Sequence, residues 1–327
     1  ILDLRPYAST PGQSAYAFKR TSLRGDPEGD VIVNVGAESA LAGKQGPFFG
    51  CDPSTQETHA NHHGNTHRYC VSGTVLSSDV VIAIPKFKVH KKVGVSLNLK
   101  GMVGINTNKN CLVHYTIGTP RDGGDQSADT TTAMDSFIVR IRNLIRAFFV
   151  SRHNVRFERL HFSIFHSKPY LAFRALLHRL RLTPSPALEG TDGGSWHGND
   201  SCWRMVADLA RIILYSDRKG MLRDRPQRQV LCIVDGIVGG EGNGPIMADA
   251  RREGLVIAGL NPLATDMVCC RLMGFDPLKL PLYRFLCRFP DRYGVARGED
   301  IRVESPVEEF RSCMTSGGRR LAVKPHK

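Results

Sequence analysis

Lysines and a histidine crowd one short run, Pro85-Lys86-Phe87-Lys88-Val89-His90-Lys91-Lys92, with Asn98 and Lys100 close behind. Ammonium groups at such spacing repel one another unless an anion lies between them. Lys86, Lys88, Lys92 and Lys100 are therefore expected to hold a phosphate, sulfate or carboxylate. Asn98 would add a neutral donor, and His90 would carry a proton near neutral pH. A solvated charge run is the alternative. The run follows Asp79-Val80-Val81-Ile82-Ala83-Ile84, an apolar, β-branched stretch that reads as a buried strand ended by Pro85. A loop at the carboxyl end of such a strand is where open α/β sheets bind ligands.

Three further groupings carry chemistry. Asp235-Gly-Ile-Val-Gly-Gly-Glu-Gly-Asn-Gly-Pro245 places an acid at a strand tip before a glycine-rich loop, an arrangement that lets backbone approach a ligand. Asp235 and Glu241, with Asp266 further on, would bind a divalent metal or serve as base, and Asn243 would contact substrate. An ordinary tight turn is the alternative, as is a dipole-stabilising place for Asp266 near its own helix start. The segment 58–67 holds His59, His62, His63 and His67, with His90 and His114 downstream. Imidazoles so dense suit a transition metal held with carboxylates, or an exposed loop whose histidines are incidental. Finally, Trp196-His197-Gly198-Asn199-Asp200 offers an aromatic platform beside amide and carboxylate groups, suited to a sugar or planar ring. Asp125 would supply a polar wall and His114 a second proton carrier, whereas Asn199 or Asp200 as helix caps would need no function.

Several chemistries lack their signatures. G-x-x-x-x-G-K-[ST] is absent, and Gly239, Gly240, Gly242 and Gly244 miss the G-x-G-x-x-G spacing, so neither ATP nor a nicotinamide dinucleotide is expected. There is no G-x-S-x-G elbow and no H-E-x-x-H pair, and only Cys111, near Lys109, sits in a plausible electropositive loop.

The stretch from Asp79 to Asp125, with its Pro-Lys-x-Lys-x-His and Leu-Lys-Gly-x-x-Gly elements, resembles the domain-of-unknown-function 362 family. The blocks VDGIVGGEGNGP (Val234 to Pro245), AGLNPLATDMVCCRLMGFDP (Ala258 to Pro277) and GSWHGND (Gly194 to Asp200) extend the likeness over most of the chain from about Asn61. His62, His63 and His67 also resemble the block that precedes the lysine run in that family. Some members carry a ferredoxin-like iron–sulfur segment with closely spaced cysteines. This chain has none, so the likeness implies the single-domain form and no cluster. The members it most resembles occur among genes for surface polysaccharides, which is association without mechanism.

The elements that must position these residues follow from hydrophobic pattern. Strands are expected at Asp30 to Gly36, Asp79 to Ile84, Gln229 to Asp235 and Leu255 to Gly259, with helices over Cys202 to Tyr215 and Leu263 to Met273. Alternation of buried strands with helices predicts an α/β fold with a mostly parallel sheet, flanking helices and a ligand cleft at the carboxyl ends of the strands. Residues 1–60 read as an N-terminal strand-and-loop part and 61–327 as the core, with two lobes meeting near 183–198.

Charge is concentrated. Of the formal +13, most arises between Arg140 and Leu182, where nine arginines and Lys168 face Glu158 alone. Apolar stripes at helical spacing run through Phe137, Ile138, Ile141, Leu144, Ile145 and Phe148, and again through Tyr170, Phe173, Leu176, Leu177 and Leu180. Basic amphipathic helices over 137–182 would dock on an anionic membrane, contact nucleic acid, or pack apolar faces into the core with arginines in water. Few aromatics lie within the basic runs and no nucleic-acid module is present, which disfavours nucleic acid. No apolar run reaches the roughly 18 residues of a membrane span. Nine scattered cysteines without a C-x-x-C pair argue against a disulfide framework and for a reducing cytoplasm. No basic-then-apolar leader pattern is visible at Ile1, and the chain lacks an initiator Met.

The expectation is a cytoplasmic protein acting on a small anionic, phosphorylated or sugar-linked metabolite, with metal assistance; enzymatic status and reaction class stay open. The alternative is a non-catalytic protein docked peripherally on a membrane.

Overall fold

The computed structural model describes residues 3–11, 18–51, 55–128, 132–150, 191–314, 321 and 323. The expected stripe at 170–180 and the first part of 183–198 lie outside them. In chain order the main elements are β1 (Tyr7–Pro11), β2 (Phe18–Ser22), β3 (Asp30–Asn34), β4 (Phe48–Phe49), α1 (Thr55–Asn61), β5 (His62–His63), β6 (Thr66–Ser72) and α2 (Gly73–Ser77). They continue with β7 (Val80–Ala83), β8 (Lys86–His90), β9 (Gly94–Ser96), α3 (Asn98–Gly101), β10 (Tyr115–Thr116) and α4 (Ala133–Val150). The last are α5 (Cys202–Tyr215), β11 (Gln229–Asn243), β12 (Met247–Gly259) and α6 (Pro262–Leu272). The chain forms two compact units: residues 1–37, 41–72 and 106–201 make unit 1, and residues 38–40, 73–105 and 202–327 make unit 2.

The mixture of helix and sheet agrees with an α/β chain, but the sheets are not mostly parallel. In unit 2, β11 runs parallel to β7 and β8 and antiparallel to β12, while β8 and β9 are antiparallel. Link length is the reason. Only Gly244 to Ile246 join β11 to β12, and only Lys91 to Val93 join β8 to β9. Such short links make hairpins, whereas parallel neighbours need a crossover of about a dozen residues or more. In unit 1, β1–β2, β3–β6–β5 and β4–β10 are all antiparallel.

The unit 2 core forms on one face of its sheet. Val230, Cys232 and Val234 of β11 and Phe87 and Val89 of β8 are buried there by strict alternation. Helix α6 starts at Pro262, with Asn261 as a cap whose Oδ1 accepts from Ala264 N at 3.0 Å. Its Met267, Cys269 and Cys270 are fully buried, so these cysteines pack as small hydrophobes with thiols pushed up by burial. The other sheet face stays open. Val80 and Ile82 are more than half exposed, which corrects the reading of 79–84 as a fully buried strand.

In unit 1, α4 begins with a capping box. Thr132 Oγ1 accepts from Asp135 N at 3.1 Å and Asp135 Oδ2 accepts from Thr132 N at 2.9 Å. The helix lies where the spacing predicts it, yet Phe137, Ile141 and Leu144 of its apolar stripe are exposed, together with Met134. Val139, off that stripe, is buried, as are Asp135 and Ser136. Among the described residues no helix is long and apolar enough to cross a membrane.

Candidate functional site

The lysine run is a strand, not a loop. Along β8, Phe87 and Val89 point into the core and Lys86, Lys88 and His90 lie on the opposite side of the strand, as a two-residue period requires, with Lys86 exposed and His90 covered. Lys86 lies opposite Asp235 of β11, and Lys88 lies between Gly240 of β11 and Ser96 of β9. Lys86 Nζ donates to Asp235 Oδ2 at 2.7 Å and to Val238 O at 3.2 Å. That hydrogen bond holds Asp235 below the usual carboxylate range. Lys88 Nζ donates to Pro245 O at 3.1 Å and has no carboxylate partner among the described residues. His90 is buried, and its Nδ1 accepts from Lys92 N at 3.1 Å, which leaves the proton of a neutral ring on Nε2. Lys92 and Lys100 are half-buried.

The glycine-rich segment is also strand, since β11 continues past Asp235 to Asn243, where exposed Asn243 pairs with Met247. Asp235 therefore sits mid-strand, beside a bulge between Gly236 and Val238. The glycines make room for β8. A Cβ on Gly239 would lie 2.7 Å from Phe87 O, and one on Gly244 would run into Val89 O. Glu241, expected to join Asp235 as metal ligand or base, accepts from Arg251 Nη1 at 3.0 Å. Arg251, which also pairs with Glu253, was not singled out by sequence reasoning. Its signal was there: Asp249, Arg251 and Glu253 alternate on the strand that pairs with the glycine segment.

Asp266 serves a helix other than its own. It is fully buried on α6, and its Oδ1 accepts from Asn98 N at 3.0 Å and Asn98 Nδ2 at 2.8 Å. Its Oδ2 accepts from Leu99 N at 3.0 Å and lies 3.4 Å from the Tyr283 hydroxyl. The carboxyl thus fixes the start of α3, and Asn98 is a buried structural partner of it. No lysine or arginine compensates it among the described residues, so burial pushes its pKa up to about 7 against those donors.

The remaining expected residues belong to unit 1. The backbone pairs His62 with His67, so the two rings share a buried face with centroids 5.7 Å apart, while His63 points outward. His62 Nε2 donates to Cys111 O at 2.8 Å, and burial pushes its pKa down to about 4. Among the described residues no three His, Cys, Asp or Glu side chains converge as a metal would require. Cys111 is buried, and its thiol is pushed up by the hydrogen bond to the Cys70 thiol and by burial, so it is no activated nucleophile.

Trp196 is not a platform. Its ring is buried over Gly198, and its Nε1 donates to Asp125 O at 3.0 Å. Asn199 is buried, and its Nδ2 donates to His114 O at 2.9 Å and Gly194 O at 3.0 Å. Asp125 accepts from Asp200 N at 2.9 Å and Ser201 Oγ at 2.7 Å. Lys44 Nζ lies 3.1 Å from Asp200 and 3.5 Å from Asp125. These residues knit the loop together.

A cavity of about 390 Å³ in unit 2 lies elsewhere, between β12, α6 and residues 301–305. Its walls include Leu255, Ile257, Val268, Leu272 and Phe310, and none of its lining belongs to β8.

A cationic strand laid against a glycine-cleared hairpin thus marks a mixed α/β protein with one charged sheet face. The family model described as a domain of unknown function (DUF362) matches residues 18–271, and the chain belongs to that family. Comparison with curated proteins and with solved structures gives no match.

Proposed function

We propose that the open face of the unit 2 sheet binds and acts on a small anionic metabolite, phosphorylated or sugar-linked, around Lys88. One observation carries this reading. Lys86, Lys88 and His90 share a strand face, and Lys88 is the member whose charge meets a carbonyl and no carboxylate among the described residues. A half-buried ammonium beside another cation gains most from an anion. The ligand would lie just beyond the carboxyl end of β7, beside Lys88. The Nε2–H of His90, oriented through Nδ1, is the group suited to donate to the anion or pass a proton. Glu241 and Asp266 are engaged by Arg251 and by α3, so the reading rests on the cations and His90. In calorimetry with inorganic phosphate, Lys88→Ala should weaken binding at least about tenfold, a change worth about 1.4 kcal/mol. Exposed Lys279→Ala should leave binding unchanged. Equal affinity in wild type and Lys88→Ala, or no phosphate binding by the wild type, overturns the reading.

A second reading, peripheral docking on an anionic membrane, is favoured by α4. Its Met134, Phe137, Ile141 and Leu144 form an exposed apolar stripe on a basic helix. Against it, Arg140 pairs with Asp122 and Arg142 with Asp192, which spends two of the cations that lipid would need.

A further inference from the structure

Strand β12 ends the unit 2 sheet, whose order is β12-β11-β8-β9, with β7 also on β11. Half of the N–H and C=O groups of such a strand point away from the sheet. Among the described residues, none of those at 255–260 meets a backbone partner beyond the sheet. Residues 301–305 line the far side of the space along this edge. They begin extended, with Ile301 at φ −100° and ψ 114°, and their exposure alternates. Arg302 and Glu304 face water as a pair at 3.1 Å, while Ile301, Val303 and Ser305 are half-buried. The backbone of Arg302, Val303 and Glu304 is likewise unpaired among the described residues. The cavity of about 390 Å³ lies between these two segments. Every residue from Leu255 to Asn261 lines it, whereas a pocket on one sheet face would be lined by alternate residues. It is therefore a slot along the strand edge. Its floor is apolar, made by Ala264, Val268 and Leu272 of α6 with Phe310.

We propose that this slot takes an extended segment of another polypeptide, added as a strand beside β12 and carrying apolar side chains at alternate positions. Recognition falls to the backbone, because the polar side chains at the end of the slot are engaged. Asn261 accepts from Ala264 N and donates to Tyr293 O, and Thr265 Oγ1 donates to Asn261 O. A fatty or prenyl chain would fill the floor but leave the N–H and C=O groups of both walls without water or partner. A peptide pairs those groups and sends every second side chain to the floor. A second copy could not offer its own β12, because residues 301–305 stand where its sheet would have to lie. The volume falls within the roughly 300–1,000 Å³ of pockets that take ligands, and residues 255–260 give about 20 Å of edge.

The test pans the full chain against displayed octapeptides with Val, Ile, Leu or Phe at alternate positions, and against octapeptides with the same residues clustered at one end. The alternating set should enrich and the clustered set should not. The best peptide is then made synthetically and its affinity measured by fluorescence anisotropy. N-methylation of one alternate set of its amides, which blocks main-chain hydrogen bonds and keeps every side chain, should weaken binding at least about tenfold. Ala264→Phe, which fills the floor from a half-buried position, should weaken it as much, and Met221→Ala, exposed and outside the slot, should change nothing. No enrichment of the alternating set overturns the proposal, as does binding indifferent to both N-methylated sets. That second result stands even if Ala264→Phe fails to fold. Displacement of an N-methylation-insensitive peptide by dodecanoate overturns it in favour of an aliphatic ligand.

Discussion

Gly239→Ala is the sharpest probe of how this sequence holds its lysine strand. The glycine has an ordinary φ, so alanine costs no backbone strain and the effect is steric. Its new Cβ would sit 2.7 Å from Phe87 O and 3.2 Å from Phe87 Cδ1. Relief requires β8 to recede by roughly half an ångström, toward a core in which Phe87 is already buried. Overpacking of this kind costs about 1–3 kcal/mol, and replacing glycine in a strand returns about 0.5–1 kcal/mol of chain entropy. The net loss should centre on about 1 kcal/mol, or roughly 2–4 °C in the transition of unit 2. The two tryptophans separate the units, since Trp203 lies in unit 2 and Trp196 in unit 1. Fluorescence-monitored urea unfolding in a Trp196→Phe background therefore reports the relevant transition. Because Lys88 follows Phe87, phosphate affinity should fall as well. Gly104→Ala, with nothing within 4 Å and no positive φ, is the matched control. If Gly239→Ala unfolds like that control and binds phosphate like wild type, these glycines do not seat β8 and the reasoning is wrong.

Asp266 makes stability depend on pH with a definite sign. Its folded value of about 7 lies above the ordinary 3.8, so the native state holds the proton more tightly and loses stability as pH rises from about 4 to about 7. The slope approaches 1.4 kcal/mol per pH unit, roughly, and should vanish in Asp266→Asn; a wild-type-minus-variant difference that is flat between pH 4.5 and 8 in urea titrations would contradict this. For the membrane reading, wild type should co-sediment with phosphatidylglycerol vesicles and not with neutral ones, and Phe137→Asp with Leu144→Asp should abolish this. Indifference to lipid charge removes that reading.

Much of the frame was legible because periodicity survives tertiary context. Strands β3, β7 and β11 and helices α4, α5 and α6 begin near the places that their patterns predict, whereas β12 ends at the predicted Gly259 but begins at Met247, well before Leu255. The misreadings share a physical cause: side chains that carry a strong local prior were set by distant partners. Lys-Phe-Lys-Val-His already alternates with period two, yet its charges suggested a loop. Glycines at 239, 240, 242 and 244 suggested a turn, when two of them clear space for carbonyls of a strand some 150 positions earlier. Trp196 in a glycine-rich segment suggested a platform, when Gly198 is small because the indole lies on it. Asp266 reads as a helix-start acid, and no local signal says that its partners are Asn98 and Leu99.

Where charge is matched and where it is not separates scaffold from site. Arg251 meets Glu241, Arg140 meets Asp122, Arg142 meets Asp192, Lys44 meets Asp200, and Lys86 meets Asp235. Each of these cations has a carboxylate at hand. Lys88 occupies a strand centre flanked by Gly240 and Ser96, where a larger neighbour would have covered it, and it is offered a carbonyl. Holding a cation there without a counter-charge lowers stability, and a scaffold would gain by replacing it with a neutral residue. An anionic ligand would remove that cost on binding, which is why the proposed site rests on the unmatched lysine more than on the density of the run.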